Sequence, residues 1–411
     1  MIRRLVSVVV AGLALILFGC TTAPPNDRPI VILVSIDGFR WDYLETYRPP
    51  TLLALAAEGV RAEGLIPQFP SKTFPNHYTI VTGLRLANHG ILSNNMVAPD
   101  IPGRFGLRNR DVLADPRWWG GEPIWNTAER QGLKASAMFW PGSEAPINGR
   151  HATYWMPFDD KMPLAARVSQ TLEWLALPDD RRPSFLTVYF SDVDSAGHSA
   201  GPDSQEVRDA ITRVDAAMSQ LVSGVRASPQ GGRVHFVIVS DHGMAPLSPS
   251  RMILLDSLID VETVEIIDWS PLVGLAAKDG NVDRVYTALK DKHPALAVYK
   301  GTELPARYGL AGHPRVPPVV GIAEEGWHVT STRDMDRWSI GNGHAPGGNH
   351  GYDPQLKSMH GLFIAVGPRL QRGAVVAPFE NVHVYELMCA LLGITPAKND
   401  GDAAATRPMF R

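Results

Sequence analysis

Runs of apolar residues without polar alternation constrain the fold of this chain more than any other feature of its sequence. They lie at residues 29–36, 185–190, 234–240 and 362–366. Because successive strand side chains point to opposite faces, such runs predict strands buried on both faces, as in a parallel sheet. Helical spacing of apolar residues lies between them, at residues 164–175, 203–225 and 382–392. The alternation predicts a layered α/β fold, with a mainly parallel central sheet flanked by helices.

The domain organisation follows from where this pattern holds and where it weakens. We expect one catalytic domain over residues 28–398, followed by a C-terminal tail at residues 399–411. Residues 275–335 have weaker periodicity, many prolines and a helical pattern at residues 282–293, so we expect an insertion or small cap there. The helix over residues 203–225 is expected to open with a capping box of Asp203 and Glu206.

The first twenty residues have the pattern of an export signal rather than of a folded segment. Arg3 and Arg4 precede an apolar run that is too short for a membrane span of roughly 20 residues. The segment Leu17-Phe18-Gly19-Cys20 resembles a bacterial lipobox, although Phe18 is larger than the usual residue there. A plain cleaved signal peptide is the alternative. Residues 21–27 would form a tether, and we expect a periplasmic protein that contacts the membrane only through a lipid on Cys20.

Charge and cysteine content narrow the classes of partner. A net charge of -3 gives no basic stripe for duplex nucleic acid, whereas a small anionic substrate stays compatible because bound metal ions can supply positive charge. Cys389 is the cysteine that remains beyond Cys20, so no intrachain disulfide frame is expected in a mature exported chain. Cys389 is expected to be a buried small apolar residue, and the protein is expected to be a monomer.

Acidic residues and histidines follow the predicted strands at the points where the strands end. Since the carboxyl ends of parallel strands form one edge of a sheet, these residues are expected to share one site. Carboxylates and imidazoles without cysteine suit Zn²⁺ or a similar first-row metal. The candidate ligands are Asp37, Asp194, His198, Asp241, His242 and His350.

Each of these signals also has an ordinary explanation when it is taken alone. An Asp-Gly pair such as Asp37-Gly38 is usually a turn, and the spacing of Asp194 and His198 around Gly197 is common in surface loops. A histidine in a glycine-rich loop, such as His350, is more often solvated than bound. Their joint placement after strands is what favours a metal site.

Thr73 is the candidate nucleophile, within the segment Pro-Ser-Lys-Thr-Phe-Pro-Asn-His at residues 70–77. A threonine hydroxyl becomes reactive at neutral pH when a divalent cation lowers its pKa. The alternative is that Ser71 or Thr73 caps a helix beginning near Asn76. Both can hold, because a helix N-terminus also favours an anion. Lys72 adjoins the nucleophile, and solvent exposure is the commoner fate of a lysine.

Taken in order, these segments resemble the nucleotide pyrophosphatase/phosphodiesterase family of the alkaline phosphatase superfamily. The segments that carry the resemblance are residues 34–40, 70–77, 79–83, 89–90, 94–96, 139–143, 194–202, 240–244, 348–352, 382–388 and 391–396. The resemblance implies two Zn²⁺ ions. It assigns one to Asp37, Thr73, Asp241 and His242, and the other to Asp194, His198 and His350.

The resemblance also implies a mechanism. Thr73 would attack phosphorus in line and form a phosphothreonine intermediate. The side chain of Asn94 and the N–H of Phe74 would donate to a non-bridging oxygen of the substrate. A neutral amide suits a diester, which carries one negative charge fewer than a monoester.

The implied substrates are nucleoside triphosphates, dinucleotides and nucleotide esters, with release of nucleoside 5′-monophosphate. Phe74 and Tyr189 resemble the aromatic residues that enclose the nucleobase, and Trp140 with one of Tyr154 or Phe158 would extend that wall. The alternatives are a lysophospholipid or choline-phospholipid phosphodiesterase on the same scaffold, a phosphomonoesterase, and an inactive lipoprotein scaffold.

Overall fold

The computed structural model describes residues 27–339 and 345–411. The predicted export signal, Cys20 and the predicted tether up to residue 26 lie outside the described residues. No helix in the described part of the chain is both long enough and apolar enough to cross a bilayer.

The strands alternate with helices along the chain, as the apolar runs indicate. The described strands are, in chain order, β1 Ile30–Ile36, β2 Val60–Ala62, β3 Leu65–Ile66, β4 Asn95–Ala98, β5 Ile101–Gly106, β6 Ala135–Met138, β7 Tyr154–Met156, β8 Phe185–Phe190, β9 Val234–Val239, β10 Ala245–Pro246, β11 Met252–Leu254, β12 Val264–Asp268, β13 Leu272–Ala277, β14 Leu296–Lys300, β15 Val319–Ala323, β16 His328–Thr330, β17 Gly348–Asn349, β18 Phe363–Val366, β19 Ala374–Val376 and β20 Phe379–Glu380. The described α-helices are α1 Tyr43–Tyr47, α2 Pro50–Glu58, α3 Thr73–Thr82, α4 Leu86–His89, α5 Arg110–Leu113, α6 Ile124–Arg130, α7 Leu164–Leu175, α8 Asp192–Ala200, α9 Gln205–Ala227, α10 Val282–Leu289, α11 Thr332–Ser339, α12 Val384–Leu392 and α13 Ala403–Thr406.

The central sheet has the strand order β19-β2-β18-β9-β1-β8-β6-β7. Strand β1 lies between β8 and β9 and runs parallel to both. Its side chains alternate between two apolar layers, Val31 and Leu33 on one face and Ile32 and Val34 on the other. The sequence therefore predicted a layered α/β fold with a mainly parallel sheet correctly. The exception is β18, which is antiparallel to β9 and β2 although its residues are equally apolar.

Helix α9 begins later than the capping box predicts. Its N-cap is Ser204, whose side chain accepts a hydrogen bond from the N–H of Val207. Asp203 instead forms an ion pair with Arg40, with 2.9 Å between the charged atoms. The capping box of Asp203 and Glu206 was therefore wrong, because the side chain one residue further along reaches the free N–H groups.

The predicted cap is an antiparallel sheet of order β12-β13-β15-β14 with α10 beside it. It has an apolar core of its own, which includes Val273, Leu275, Val285 and Leu289. The cap was expected to begin at residue 275, but its first strand, β12, already begins at Val264. The predicted C-terminal tail also packs on the domain. Met409 is fully buried there.

Candidate active site

Three neighbouring strands of the central sheet end at the candidate site. Asp37 directly follows β1, and Asp241 and His242 come just after β9. Helix α8 begins two residues after β8, and it carries Asp194 and His198. Because parallel strands end at one edge, sequence positions that are far apart along the chain meet there.

Asp194 and His198 lie on a helix rather than on the loop that Gly197 suggests. The i,i+4 spacing places both side chains on one face of α8, with 3.5 Å between Asp194 Oδ1 and His198 Nε2. Helix α8 approaches Met244 so closely that a Cβ on Gly197 would lie 2.9 Å from the Met244 methyl group. Gly197 thus allows close packing and does not break the helix.

The remaining predicted ligands complete two adjoining groups. His350 Nε2 lies 3.1 Å from His198 Nε2 and 3.7 Å from Asp194 Oδ1. His242 Nε2 lies 3.4 Å from Asp37 Oδ1 and 3.0 Å from Asp241 Oδ2. The rings of His242 and His350 stack with centroids 3.5 Å apart, so the two groups are in direct contact. We call these side chains the ligand cluster, and its members are Asp37, Asp194, His198, Asp241, His242 and His350.

Backbone carbonyls fix the orientation of the cluster's imidazole rings. Nδ1 of His198 faces the carbonyl of Gly348 at 3.1 Å, and Nδ1 of His350 faces that of Ser71 at 2.8 Å. Nδ1 of His242 faces the carbonyl of Gly243 at 2.9 Å. A carbonyl only accepts, so in the neutral ring the proton belongs on Nδ1 and the lone pair of Nε2 points into the cluster. This is the arrangement of a metal-binding histidine.

The donor atoms of the cluster fit divalent cations. Asp37 Oδ1 and Asp194 Oδ1 are buried and have no hydrogen-bond partner within residues 27–339 and 345–411, whereas Asp241 Oδ2 lies 3.0 Å from His242 Nε2 and 3.2 Å from His77 Nδ1. Leaving a buried charged oxygen unpaired costs on the order of 1–3 kcal/mol or more, which a bound cation offsets. Asp194, His198 and His350 bring one ligand atom each within 4.8 Å of one another, as do Asp37, Asp194 and His242. Oxygen and imidazole ligands of this kind suit Zn²⁺.

The electrostatics of the cluster show mutual repulsion among its carboxylates. Burial raises the pKa of Asp37 well above its usual range, and the charges of Asp241 and Asp194 add to that rise. Burial would also raise the pKa of Asp241, but His242 and His77 bring it well below its usual range. Burial would lower the pKa of His242, yet Asp241 outweighs this effect and raises it to about 9. A bound cation would offset the repulsion that raises the pKa of Asp37.

Gly38 allows the strand end of β1 to approach α8. It has a positive φ of 66°, and a Cβ at this position would lie 2.8 Å from the Cα of Asp194. Any other residue would push Asp194 away from Asp37. The Asp-Gly pair is therefore both a turn and a means of bringing two carboxylates together.

Thr73 is the first residue of α3, which begins three residues before the predicted start at Asn76. Its Oγ1 lies 3.3 Å from Nε2 of His242, so the hydroxyl adjoins the ligand cluster. The free N–H groups of a helix N-terminus favour negative charge at this point. Thr73 is therefore the start of the helix, and this position is compatible with the nucleophile role as well.

Asn94 faces the same helix end. Its Oδ1 accepts a hydrogen bond of 2.9 Å from the N–H of Phe74. The N–H of Phe74 is therefore used to orient the amide, whereas the sequence had assigned it to the substrate. The Nδ2 of Asn94 remains as the group of this pair that can donate to an oxyanion.

An aromatic cavity of about 220 Å³ adjoins Thr73 and Asp37. Phe74, Phe158 and Tyr189 line it, as does Trp140. Trp140 reaches the cavity with little of its surface, because it is only 1% exposed and its indole N–H donates to the carbonyl of His77. Tyr154 stacks on Trp174 instead and does not line the cavity.

A model of the type I phosphodiesterase/nucleotide pyrophosphatase family matches residues 31–353. The chain belongs to this family. Human ectonucleotide pyrophosphatase/phosphodiesterase family member 5 is 34% identical over 397 residues, which cover 97% of this chain and 80% of the human protein. Mouse family member 7 is 35% identical over 412 residues, which cover 96% of this chain and 91% of the mouse protein.

Solved structures of the phosphodiesterase/nucleotide pyrophosphatase family agree with the fold. Murine ectonucleotide pyrophosphatase/phosphodiesterase 5 matches with a TM-score of 0.88 at 34% identity, over 93% of this chain and 100% of the murine one. An inactive threonine-to-alanine form of the murine protein, in complex with AMP, matches with the same TM-score at 33% identity and the same coverage. The alkaline-phosphatase-like fold implied by the sequence is thereby confirmed.

Sequence reasoning missed two supporting contacts in the site of this phosphodiesterase family member, one made by Tyr189 and one by His77. The hydroxyl of Tyr189 donates to Asp37 Oδ2, so this residue contacts the ligand cluster as well as the cavity. His77 Nδ1 lies 2.9 Å from the carbonyl of Thr73 and 3.2 Å from Asp241 Oδ2. The histidine of the segment at residues 70–77 was a usable signal, since i,i+4 spacing turns His77 back toward Thr73 once the helix begins there.

Lys72 does not face solvent, contrary to the commoner expectation. Its side chain is buried in an ion pair with Asp268 of the cap, with 2.6 Å between Nζ and Oδ2. Ser93 and Asn95 also donate to Asp268, and Ser270 of the same segment accepts from Asn349. The cap segment therefore contacts both Lys72, which precedes Thr73, and the loop that carries His350.

Proposed function

We propose that this chain hydrolyses phosphodiester and pyrophosphate bonds of nucleotides and releases nucleoside 5′-monophosphate, with Thr73 as the nucleophile. The observation that carries this proposal is the position of the Thr73 hydroxyl. It lies 3.3 Å from His242 at the N-terminus of α3, with the ligand cluster on one side and an aromatic cavity on the other. A reacting phosphate at Thr73 would thus have charge stabilisation and an apolar pocket within reach.

The cluster would hold two Zn²⁺ ions. Asp37, Thr73, Asp241 and His242 would bind one, and Asp194, His198 and His350 would bind the other. When bound, the ions lower the pKa of the hydroxyl and offset the negative charge of the reacting phosphate. The unpaired carboxylate oxygens and the inward lone pairs of the imidazoles support this assignment.

The protein's own groups account for the remaining chemistry. The Thr73 oxygen loses its proton and forms a bond to phosphorus while the bond to the leaving oxygen breaks, and the leaving group takes up a proton. The phosphothreonine so formed still carries the nucleoside on its phosphorus. Water then attacks that phosphorus and returns the Thr73 hydroxyl. Asn94, oriented by Phe74, donates through Nδ2 to a non-bridging oxygen, and the helix N-terminus favours the same negative charge.

Phe74 and Phe158 would enclose the nucleobase in the aromatic cavity. Stacking against such rings contributes on the order of 1–3 kcal/mol per base. The murine relative that was solved with AMP supports a nucleoside monophosphate as the occupant, because its fold matches this chain with a TM-score of 0.88. Tyr189 would contribute its ring to the wall, while its hydroxyl stays on Asp37.

A substrate panel at equal concentration tests the proposal. We expect the p-nitrophenyl ester of thymidine 5′-monophosphate and ATP to be cleaved faster than p-nitrophenyl phosphate or lysophosphatidylcholine. Higher turnover of lysophosphatidylcholine would assign the chain to phospholipids, and higher turnover of p-nitrophenyl phosphate would make it a phosphomonoesterase. Elemental analysis should find two zinc ions per chain, and a protein with fewer would contradict the proposed site.

We further propose that the mature protein is exported to the periplasm, lipid-anchored at Cys20 and monomeric. The pattern of Arg3, Arg4 and the lipobox-like segment supports the first two points. Metabolic labelling with a fatty-acid analogue should label the native chain but not a Cys20→Ala variant. Light scattering of the purified mature chain should give the mass of one copy.

A further inference from the structure

The segment between β7 and α7 carries Phe158 but has no regular secondary structure. Residues 157–163 form no strand and no helix, so their backbone groups need partners from elsewhere. Two of these partners bind the backbone of Phe158 itself. Its N–H donates to Glu144 at 3.0 Å, and its carbonyl accepts from Arg110. We call residues 157–163 the pocket-wall segment.

Arg167 of α7 binds the rest of the pocket-wall segment from behind. Its Nε donates to the carbonyl of Met162 at 3.0 Å, and its Nη2 lies 3.4 Å from that of Asp160 and 3.5 Å from that of Asp159. Its Nη1 donates to the carbonyl of Tyr189 at 2.8 Å. One guanidinium thus ties the wall to β8, the strand that supports the ligand cluster.

Arg167 is unusual because it is buried and yet forms no direct ion pair. The residue is 2% exposed, and within residues 27–339 and 345–411 no carboxylate oxygen lies within 4.0 Å of it. Its hydrogen bonds go to carbonyl oxygens, and the charges of Asp192, Asp159 and Asp160 act on it only from a greater distance, whereas a buried arginine ordinarily pairs directly with an acid. Because Arg167 forms no direct ion pair, we infer that its role is to fix the positions of the carbonyl groups that it binds.

The aromatic contacts of the cavity follow from the same residue. The guanidinium lies over the ring of Phe139, 5.1 Å from its centroid. Phe139 and Phe158 meet edge to face at 5.7 Å, and Phe158 meets Tyr189 at 5.9 Å. Arg167 therefore contacts both aromatic residues that pack on Phe158 here, the ring of Phe139 and the backbone carbonyl of Tyr189.

We propose that Arg167 is a positioning residue that sets the affinity for the nucleobase by holding Phe158 in the wall of the aromatic cavity, which Phe74 also lines. It contacts neither the reacting phosphate nor the ligand cluster. The proposal rests on the proposed function, because it names what determines substrate choice at the same site. A lysine cannot replace Arg167 fully, since it has one donor nitrogen where the guanidinium reaches carbonyls in several directions.

Two substrates that differ only in the nucleoside test this proposal. The p-nitrophenyl ester of thymidine 5′-monophosphate contains a base, whereas methyl p-nitrophenyl phosphate has the same leaving group and none. In Arg167→Lys and Arg167→Met, we expect KM for the thymidine ester to rise about 10-fold, within the roughly 5- to 150-fold that one stacked base contributes. The kcat/KM for the methyl ester should change less than about 2-fold, since Thr73 and the ligand cluster are untouched.

A double-mutant cycle with Phe158→Ala separates positioning from general folding. If Arg167 acts through Phe158, Arg167→Met should add almost nothing in the Phe158→Ala background. Arg208→Met is the matched control, because Arg208 also extends from a helix over an aromatic ring, that of Tyr47, away from the cavity. This control should leave KM for both substrates unchanged.

Binding of AMP gives a readout that does not depend on turnover. In a Thr73→Ala background, Arg167→Lys should weaken AMP about 10-fold by calorimetry and leave inorganic phosphate unchanged. Equal losses for both ester substrates, or full additivity with Phe158→Ala, would overturn the positioning role. If Arg167→Met does not fold, the same comparisons are decided with Arg167→Lys. A native protein that cleaves neither ester would instead refute the proposed function.

Discussion

The hydroxyl of Tyr189 donates a hydrogen bond of 2.6 Å to Oδ2 of Asp37, and both side chains are buried. This bond leaves Oδ1 of Asp37 facing the ligand cluster, where it has no other partner among the described residues. Hydrogen bonds to the outer oxygen of a metal-binding carboxylate fix its orientation. Tyr189 thus links the aromatic cavity to the cluster.

Tyr189→Phe removes this bond and keeps the ring. We expect zinc affinity to fall about 10- to 100-fold, as is usual when such an outer partner is lost, while AMP affinity at saturating zinc changes little. Competition with a chelator measures the first quantity and calorimetry the second. Tyr43→Phe is the control, because the Tyr43 hydroxyl is buried without a hydrogen-bond partner in the described part of the chain. Unchanged zinc affinity in Tyr189→Phe would show that the bond is dispensable.

Thr73→Ala should lower turnover of nucleotide esters by roughly 10⁴-fold or more, since it removes the attacking oxygen. Thr73→Ser keeps that oxygen and should retain measurable turnover. Rapid quenching followed by mass spectrometry should detect a nucleoside 5′-phosphoryl group on residue 73 in the native protein and in Thr73→Ser. Substantial turnover by Thr73→Ala would exclude Thr73 as the nucleophile.

Asn94→Ala should lower kcat for diesters by about 10²- to 10³-fold, because a donor to the developing negative charge is lost. The melting temperature should change little, since Phe74 loses one hydrogen bond at a helix end that water can reach. Asn88→Ala, which removes an exposed amide that binds Asp400, serves as the control. A rate for Asn94→Ala equal to that of the control would limit Asn94 to a structural role.

Removing one partner of the buried ion pair of Lys72 and Asp268 should lower the stability of the protein strongly, because the other charge is then left unpaired. Both side chains are almost fully buried, so Lys72→Met or Asp268→Leu should each cost about 3–5 kcal/mol of unfolding free energy in urea titrations. The double variant should cost less than the sum, because no unpaired charge then remains. Additive losses would mean that the two charges do not depend on each other.

His89 should make stability depend on pH. Burial lowers its pKa to about 3, and Ile91 donates to Nδ1, which must therefore be unprotonated. Since the folded-state pKa lies below the unfolded value of about 6.5, the contribution is complete above pH 6.5 and is lost as the pH falls toward 3. Relative to His89→Gln, the native protein should lose up to about 1.4 kcal/mol more per pH unit in that window. Parallel stability curves for the two proteins would contradict this.

Local patterns predicted the fold well where burial alone decides it. Strand β8 and helix α7 have the predicted bounds, because apolar runs and helical spacing reflect burial directly. The reversed direction of β18 was not accessible, since an apolar run reports burial on both faces and not chain direction. The helix at Asp194 was also missed, because Gly197 is a weak helix former whose cost is offset by packing on Met244.

For the candidate site, residue types at strand ends indicated which side chains come together, but not what holds them. Lys72 and Asp268 are far apart in sequence, and nothing local marks them as partners. The same is true of Tyr189 and Asp37, which face each other only because β1 and β8 are neighbours. Arg167 lies within the predicted helix at residues 164–175, but its contacts are with the carbonyl of Tyr189 and with carbonyls of an irregular segment that no periodicity describes.

Strand β1 enters the central sheet at Ile30 and reaches the ligand cluster at Asp37. Its seven residues, at about 3.3 Å each, place some 23 Å of sheet between the two ends. An attachment joined directly to Ile30 would therefore lie at the opposite end of this strand from the reacting groups. A bead or carrier protein joined ahead of Ile30 would leave the mouth of the cavity open to dissolved nucleotides.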